Sequence, residues 1–124
     1  KLAELAHARD KLYILHSCGH LETVMDDLID DVKIDVKHSF EDVIIPVDQF
    51  KARHGRRVGV AGGIDVDLLT RGTPDDVRAR TRQVLDACMP GGGYALGTGN
   101  SVANYIPVRN YLAMLDEGRR WHPA

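Results

Sequence analysis

The chain has 124 residues and a formal net charge of −2, with 44% hydrophobic and 27% charged residues. This balance is typical of one folded domain with a core and does not indicate disorder. Acidic and basic residues are interspersed, which argues against nucleic acid or a membrane as the main partner. No apolar run approaches the ~18 residues that span a bilayer, and no signal-peptide pattern opens the sequence. We therefore expect a cytoplasmic protein.

The first residues are helix formers that carry neither an initiating Met nor a helix cap, so we expect the chain to be part of a longer protein. The first half of the sequence predicts a helix, a strand, a helix and a strand, over 2–11, 12–18, 21–32 and 33–38. The second helix is the clearest, because apolar residues recur at helical spacing, at Leu21, Val24, Met25, Leu28, Ile29 and Val32.

The stretch from Ser39 to Asp42 has the S-x-x-D form of a helix start. Pro46 is disfavoured inside a helix, so we predict a short turn over 40–45 and a helix that begins at Pro46, runs to about His54 and is ended by Gly55.

The second half of the sequence predicts two more pairs of strand and helix. A run of small apolar residues over 57–64 predicts a strand buried on both faces, followed by Asp65 and a helical turn at 67–70. Thr73 and Pro74 are an N-cap and a first helical residue, and they open a helix that buries Val77, Thr81, Val84, Leu85 and Cys88. On this helix Arg78, Arg80 and Arg82 are predicted to form a solvated face.

A short strand over 94–96 and a helix opened by Pro107 complete the predicted elements. The last helix is expected to bury a stripe of Val108, Tyr111, Leu112 and Leu115. The order is therefore a helix followed by four βα units in a single domain over 1–124, and alternating units of this length imply an α/β fold with a parallel sheet. Four units of about 30 residues are half of a (β/α)₈ barrel.

Half a barrel leaves two open strand edges and one uncovered apolar face, which natural proteins rarely leave exposed. We therefore expect a homodimer that forms through the open barrel edges.

One short motif suggests a metal site. If the second element continues as a strand through Cys18, then His16 and Cys18 point to the same face. Imidazole and thiolate suit Zn²⁺, and a catalytic zinc takes three protein ligands, so the pair supplies two of them. The alternative is a partly buried cysteine beside a histidine satisfied at a strand end. Cys18 and Cys88 lie in unlike contexts, so we expect two thiols, with Cys88 packed in the core.

Four motifs occur in an order that resembles the C-terminal part of the uroporphyrinogen decarboxylase superfamily. They are the H-S-C-G of residues 16–19, the K-H-S-F-E-D of 37–42, the G-G-I-D of 62–65 and the G-Y-A-L-G-T-G-N of 93–100. The similarity runs from about residue 12 to 121. It implies a (β/α)₈ barrel. The superfamily includes both decarboxylases of tetrapyrrole (porphyrin) biosynthesis and cobalamin-dependent methyltransferases.

The H-x-C-G motif resembles the methyltransferase branch, where it supplies two zinc ligands and a later cysteine supplies the third. Thr98 stands at the position of that cysteine, and a threonine hydroxyl is a poor zinc ligand. His20, His38 and Asp65 are the other candidates for a third ligand, although such residues are more often a loop histidine, a strand-end histidine and a turn former or helix cap. His38, Asp65 and Asn100 are the candidate substrate-binding residues.

The resemblance implies zinc and a corrinoid carried on a partner protein, with methyl transfer to a thiol in the full-length protein. One alternative is decarboxylation of a tetrapyrrole, as in uroporphyrinogen decarboxylase. The other is a catalytically silent fragment that folds by dimerisation. Whether this chain alone is an enzyme is left open, and we expect it to be inactive without the rest of the barrel.

Overall fold

The computed structural model describes residues 1–123. Four parallel strands form one sheet in the order β1-β2-β3-β4, and helices alternate with them. The predicted α/β fold of four consecutive βα units, a partial barrel preceded by a helix, is confirmed. The strands are β1 Ile14–His16, β2 Val36–His38, β3 Gly59–Ala61 and β4 Tyr94–Ala95. The helices are α1 Leu2–His7, α2 Met25–Asp30, α3 Val47–His54, α4 Val66–Arg71, α5 Pro74–Cys88 and α6 Val108–Arg120.

The register places equivalent strand ends side by side. His16 pairs with His38, His38 with Ala61 and Ala61 with Ala95. Because parallel strands all end at the same edge of a sheet, the loops that follow β1, β2 and β4 meet there. An additional bridge between Ile64 and Thr98 joins the chain beyond β3 and β4.

The two faces of the sheet have different surroundings. Alternate residues in register, Leu15, Lys37, Val60 and Tyr94, point to the face that the helices cover. Val60 is 1% exposed in a core formed with α3 and α5 residues such as Val47 and Val84. On the opposite face Ile14 is 57% exposed. The sheet is therefore packed on one side only, and its inner face is open.

Local signals determine the best-defined helices. Thr73 caps α5 in a reciprocal capping box with Asp76, and Pro74 is the first helical residue, as predicted. The buried stripe of α5 is also the predicted one: Val77, Thr81, Val84, Leu85 and Cys88. Pro46 precedes α3 and Gly55 ends it. Cys88 is fully buried, and burial raises the pKa of its thiol to about 11.

The predicted stripe of α6 is right only for Tyr111 and Leu115, which are partly buried and pack against the core. Val108 is 71% exposed and Leu112 54% exposed, whereas the helix buries Asn110, Ala113, Met114 and Glu117. Polar residues occupy the buried face because each has a partner there. Asn110 donates to the carbonyl oxygens of Leu69 and Gly72 at 2.9 and 2.8 Å, and Glu117 accepts from Arg82 at 2.7 Å.

Other predictions are corrected by tertiary contacts. β1 ends at His16, so Cys18 lies in the following loop. The helix predicted over 21–32 is split into a 3₁₀ turn, Glu22–Val24, and α2. No helix begins at Ser39, whose hydroxyl contacts a side chain on another loop.

The arginines of α5 do not form a solvated face. Arg80 is 19% exposed and binds Asp48 of α3 at 2.8 Å, while Arg78 binds Asp116 of α6 at 2.7 Å. Within residues 1–123, none of the helices is both long and apolar enough to span a bilayer.

Candidate thiol and imidazole site

The side chains at the carboxyl ends of β1 and β2 form the candidate site. His16 is the last residue of β1, and its strand neighbour His38 is the last residue of β2. Cys18 follows His16 by two residues, and Gly19 then turns the chain with a φ of 93°. Asn100 reaches the same place from the loop after β4.

Three polar groups converge on the sulfur of Cys18. Nε2 of His16 lies 3.7 Å from Sγ, the hydroxyl of Ser39 donates to Sγ over 3.2 Å, and Nδ2 of Asn100 donates over 3.3 Å. The two hydrogen bonds that Sγ accepts fix its position. The Cys18 side chain is exposed, so a ligand can reach the sulfur.

The tautomer of His16 follows from a chain of hydrogen bonds. Nε2 of His38 lies 3.2 Å from the carbonyl oxygen of Thr98, which can only accept, so this nitrogen carries the proton. Nδ1 of neutral His38 is then an acceptor for Nδ1–H of His16, 2.8 Å away. In neutral His16 the lone pair is consequently on Nε2, which faces Cys18.

Burial keeps the His38 imidazole neutral. It lowers the pKa of His38, the hydrogen bond to the Thr98 carbonyl opposes this in part, and the nearby charges of His16 and Lys37 lower the pKa further. The ring also lies against the backbone: a Cβ added to Gly62 would meet Nε2 of His38 at 2.8 Å and the Thr98 carbonyl oxygen at 2.5 Å. This close approach requires glycine at position 62.

The candidate residues are only partly brought together. His16, Cys18, His38 and Asn100 share the site, as described above. Asp65 does not join them, because its carboxylate caps α4 through the amide of Asp67 and accepts from the amide of Asp42, both at 2.6 Å. The hydroxyl of Thr98 donates to the carbonyl oxygen of Asn100 at 2.6 Å. His20 lines a cavity of about 230 Å³ between α3 and the loops after β1 and β2, and Lys37 and Ser39 also line it.

Sequence reasoning missed Ser39 and Lys37. Ser39 is buried and adopts a φ of 86°, a left-handed conformation that is uncommon for serine. Lys37 is 4% exposed on the covered face of the sheet. Burial lowers the pKa of its ammonium group to about 8, against a smaller opposing effect from Cys18. The K-H-S-F-E-D motif of residues 37–42 contains both residues, but nothing in its sequence indicates these contacts.

The geometry fits two of the ligands that zinc requires. Ligand distances of ~2.05 Å for nitrogen and ~2.3 Å for sulfur place two ligands of a tetrahedral ion about 3.6 Å apart, and Nε2 of His16 lies 3.7 Å from Sγ of Cys18. His38 contacts Nδ1, on the other side of the His16 ring, and so supports the ligand instead of sharing the ion. Over residues 1–123 no group of three histidine, cysteine or acidic side chains is arranged to hold a metal.

The chain is similar to known proteins over most of its length. The family model for uroporphyrinogen decarboxylase (URO-D) matches residues 1–121. A uroporphyrinogen decarboxylase from Azoarcus sp. (strain BH72) is 29% identical over 75 residues, which are 60% of this chain and 21% of that protein. A solved methyltransferase from Methanosarcina mazei has a TM-score of 0.71 at 23% identity, over 94% of this chain and 33% of that chain. The chain thus spans about a fifth of the first relative and a third of the second.

Proposed function

The chain belongs to the uroporphyrinogen decarboxylase family, and from that premise we propose that it forms part of a zinc-type methyltransferase site in a longer protein. The proposed reaction moves a methyl group from a methylated corrinoid, carried on a separate protein, to a thiol. The observation that carries the proposal is the 3.7 Å separation of Nε2 of His16 from Sγ of Cys18. That separation matches one edge of a tetrahedral zinc site.

The residues around the pair have separate roles in the proposal. His16 and Cys18 would hold the ion through Nε2 and Sγ. A bound zinc ion would supply a Lewis acid that lowers the pKa of the thiol substrate, so that the thiolate is available as the nucleophile. Ser39 and Asn100 orient Sγ through their hydrogen bonds. His38 and the Thr98 carbonyl keep the lone pair of His16 on the nitrogen that faces Cys18.

Metal binding tests this proposal most directly, with Co²⁺ as a coloured substitute for zinc. We expect about one Co²⁺ per chain, with sulfur-to-cobalt charge-transfer absorption in the near ultraviolet. Cys18→Ala should abolish that band, and Cys88→Ala, which removes the other thiol, should leave it unchanged. Wild type without the band, or a Cys18→Ala variant that retains it, would exclude the proposed metal site.

A second candidate is decarboxylation of a tetrapyrrole, favoured by the identity to the decarboxylase from Azoarcus. A polycarboxylate substrate needs arginine or backbone partners. The strand residues of the inner face are Ile14, His16, Val36, His38, Gly59, Ala61 and Ala95, and none is basic apart from the two histidines. Saturable binding of uroporphyrin, followed by the shift of its visible absorption, would support this candidate over the metal site.

We also propose that two copies of this chain associate through the open edges β1 and β4. In a two-fold pair, β4 of each copy would lie beside β1 of the other, which closes eight parallel strands. The exposed Ile14 on the open face supports this arrangement, because a closed barrel would bury it. A chain that folded only in this way would be a silent fragment, with the same site but without the residues that the rest of a family member contributes.

A further inference from the structure

Lys37 occupies a position where the sheet requires an apolar side chain. Its register neighbours on the covered face are Leu15 and Val60, and it is 4% exposed. Its ammonium group lies 4.4 Å from the centre of the Phe40 ring. In the described chain no carboxylate lies within ion-pair distance of it. A buried cation without an anion is costly, so its partners must compensate for lost hydration.

Those partners are three backbone carbonyl groups. Nζ donates to the carbonyl oxygens of Ser17 at 3.3 Å and His38 at 3.1 Å, and also to that of Ser39. An ammonium group has three donors, so this set uses all of them. The ammonium group therefore has no donor left over for a ligand in this structure.

The three carbonyl groups belong to the two strand ends that carry the site. Ser17 lies between His16 and Cys18 on the loop after β1. His38 is the last residue of β2, and Ser39 follows it. Ser39 holds a left-handed backbone with a φ of 86° while its hydroxyl donates to Cys18. The single ammonium group therefore joins the peptide groups that determine where the thiol, its donor and both imidazoles lie.

We propose that Lys37 is the positioning residue of this site: from the covered face of the sheet it ties the two strand ends together and so fixes Cys18 and His16 relative to His38. This inference rests on the proposed function, since it concerns the same thiol and imidazole pair. Lys37 touches neither the sulfur nor a ligand, and its effect is transmitted through the backbone.

The test compares Lys37→Met with wild type in the metal-free, ¹⁵N-labelled chain. Long-range ¹H–¹⁵N correlation spectra report which imidazole nitrogen carries the proton. Wild type should show His38 protonated on Nε2 and His16 on Nδ1, and Lys37→Met should show mixed tautomers for both. Lys51→Met is the matched control, because Lys51 also donates to carbonyl groups, those of Gly92 at 2.5 Å and Gly55 at 3.4 Å. These contacts lie near the amino ends of the strands, away from the site.

Unchanged tautomers in a folded Lys37→Met variant would overturn the proposal, even if its urea midpoint falls, because that result describes a purely structural lysine. If Lys37→Met does not fold, the tautomers of His16 and His38 are measured in Lys37→Gln, which retains a shorter neutral donor. Mixed tautomers in that variant would support the proposal, and unchanged tautomers would overturn it. A second arm measures Co²⁺ affinity, which should weaken about tenfold in Lys37→Met. Wild type that binds no Co²⁺ would exclude the proposed function while the tautomer arm still decides the role of Lys37.

Discussion

Ser39 donates its hydroxyl to Sγ of Cys18 over 3.2 Å from a backbone with a φ of 86°. The left-handed conformation costs a serine about 1 kcal/mol that a glycine does not pay. We therefore expect Ser39→Gly to exceed Ser39→Ala in free energy of unfolding by about 1 kcal/mol, since both variants lose the hydroxyl. Urea unfolding of the two variants measures this difference, and equal midpoints would contradict it.

Gly62 and Gly91 allow the contact with His38 to be separated from backbone strain. Both have positive φ, 88° and 79°, but a Cβ would meet His38 and Thr98 at Gly62 and nothing within 4 Å at Gly91. We expect Gly91→Ala to cost about 1 kcal/mol of unfolding free energy and Gly62→Ala about 3 kcal/mol or more. Chemical unfolding provides both values. Similar losses of unfolding free energy in the two variants would show that the close approach of the His38 ring to position 62 does not require glycine there.

The hydroxyl of Thr81 is buried, and the residues described here offer it no hydrogen-bond partner. Thr81→Val keeps the shape and removes the unpaired group, so it should stabilise the protein by about 1 kcal/mol. Thr70→Val is the control, because the Thr70 hydroxyl donates to the carbonyl oxygen of Val66 at 2.7 Å and its loss should cost about 0.5–1 kcal/mol. Thermal unfolding of both variants should shift in opposite directions.

Lys37 should make stability depend on pH in the alkaline range. Burial lowers its pKa from 10.5 to about 8 in the folded chain. Between these values the unfolded chain holds a proton that the folded chain releases, so stability rises with pH, by at most about 1.4 kcal/mol per pH unit. Below about pH 8 both states are protonated and the contribution is constant.

Comparison with Lys37→Met isolates this contribution from other groups that titrate in the same range. Urea unfolding at pH 7.5 and 9.5 should show wild type gaining stability relative to the variant at the higher pH. A constant difference between the two proteins would mean that the ammonium group is not desolvated as its burial indicates.

The proposed pairing of edges predicts a mass in solution of twice 13.7 kDa at micromolar concentration. Ile14→Glu places a charge on the open face and should shift the protein to monomer. Leu112→Glu is the control, since Leu112 is also exposed, at 54% against 57%, but lies on α6. Light scattering that gives a monomer for wild type would exclude the dimer.

The order of elements could be predicted because its signals are local. Pro46, Gly55 and the Thr73 cap act within one or two turns of the chain, and the structure retains all of them. The stripe of α6 could not be predicted in this way. Its buried Asn110 and Glu117 are stabilised by groups on α4, α5 and the segment between these two helices, and no pattern within α6 contains that information.

The site was predictable to a similar extent. The spacing of His16 and Cys18 indicated that they act together, although Cys18 approaches His16 from the loop and not from the strand face. Lys37 and Ser39 were not predictable, because a period of two shows which strand residues share a face but not which face the helices cover. Only the packed structure shows that Lys37 is on the buried side.

The aligned register of β1 and β2 makes the whole arrangement sensitive to any slip of one strand against the other. A slip of β2 by one residue against β1 would move each of its side chains to the opposite face. An imidazole would then point into the apolar layer, and the lysine would occupy the open side beside His16. A change in strand pairing at this point is therefore a change in the chemistry of the site.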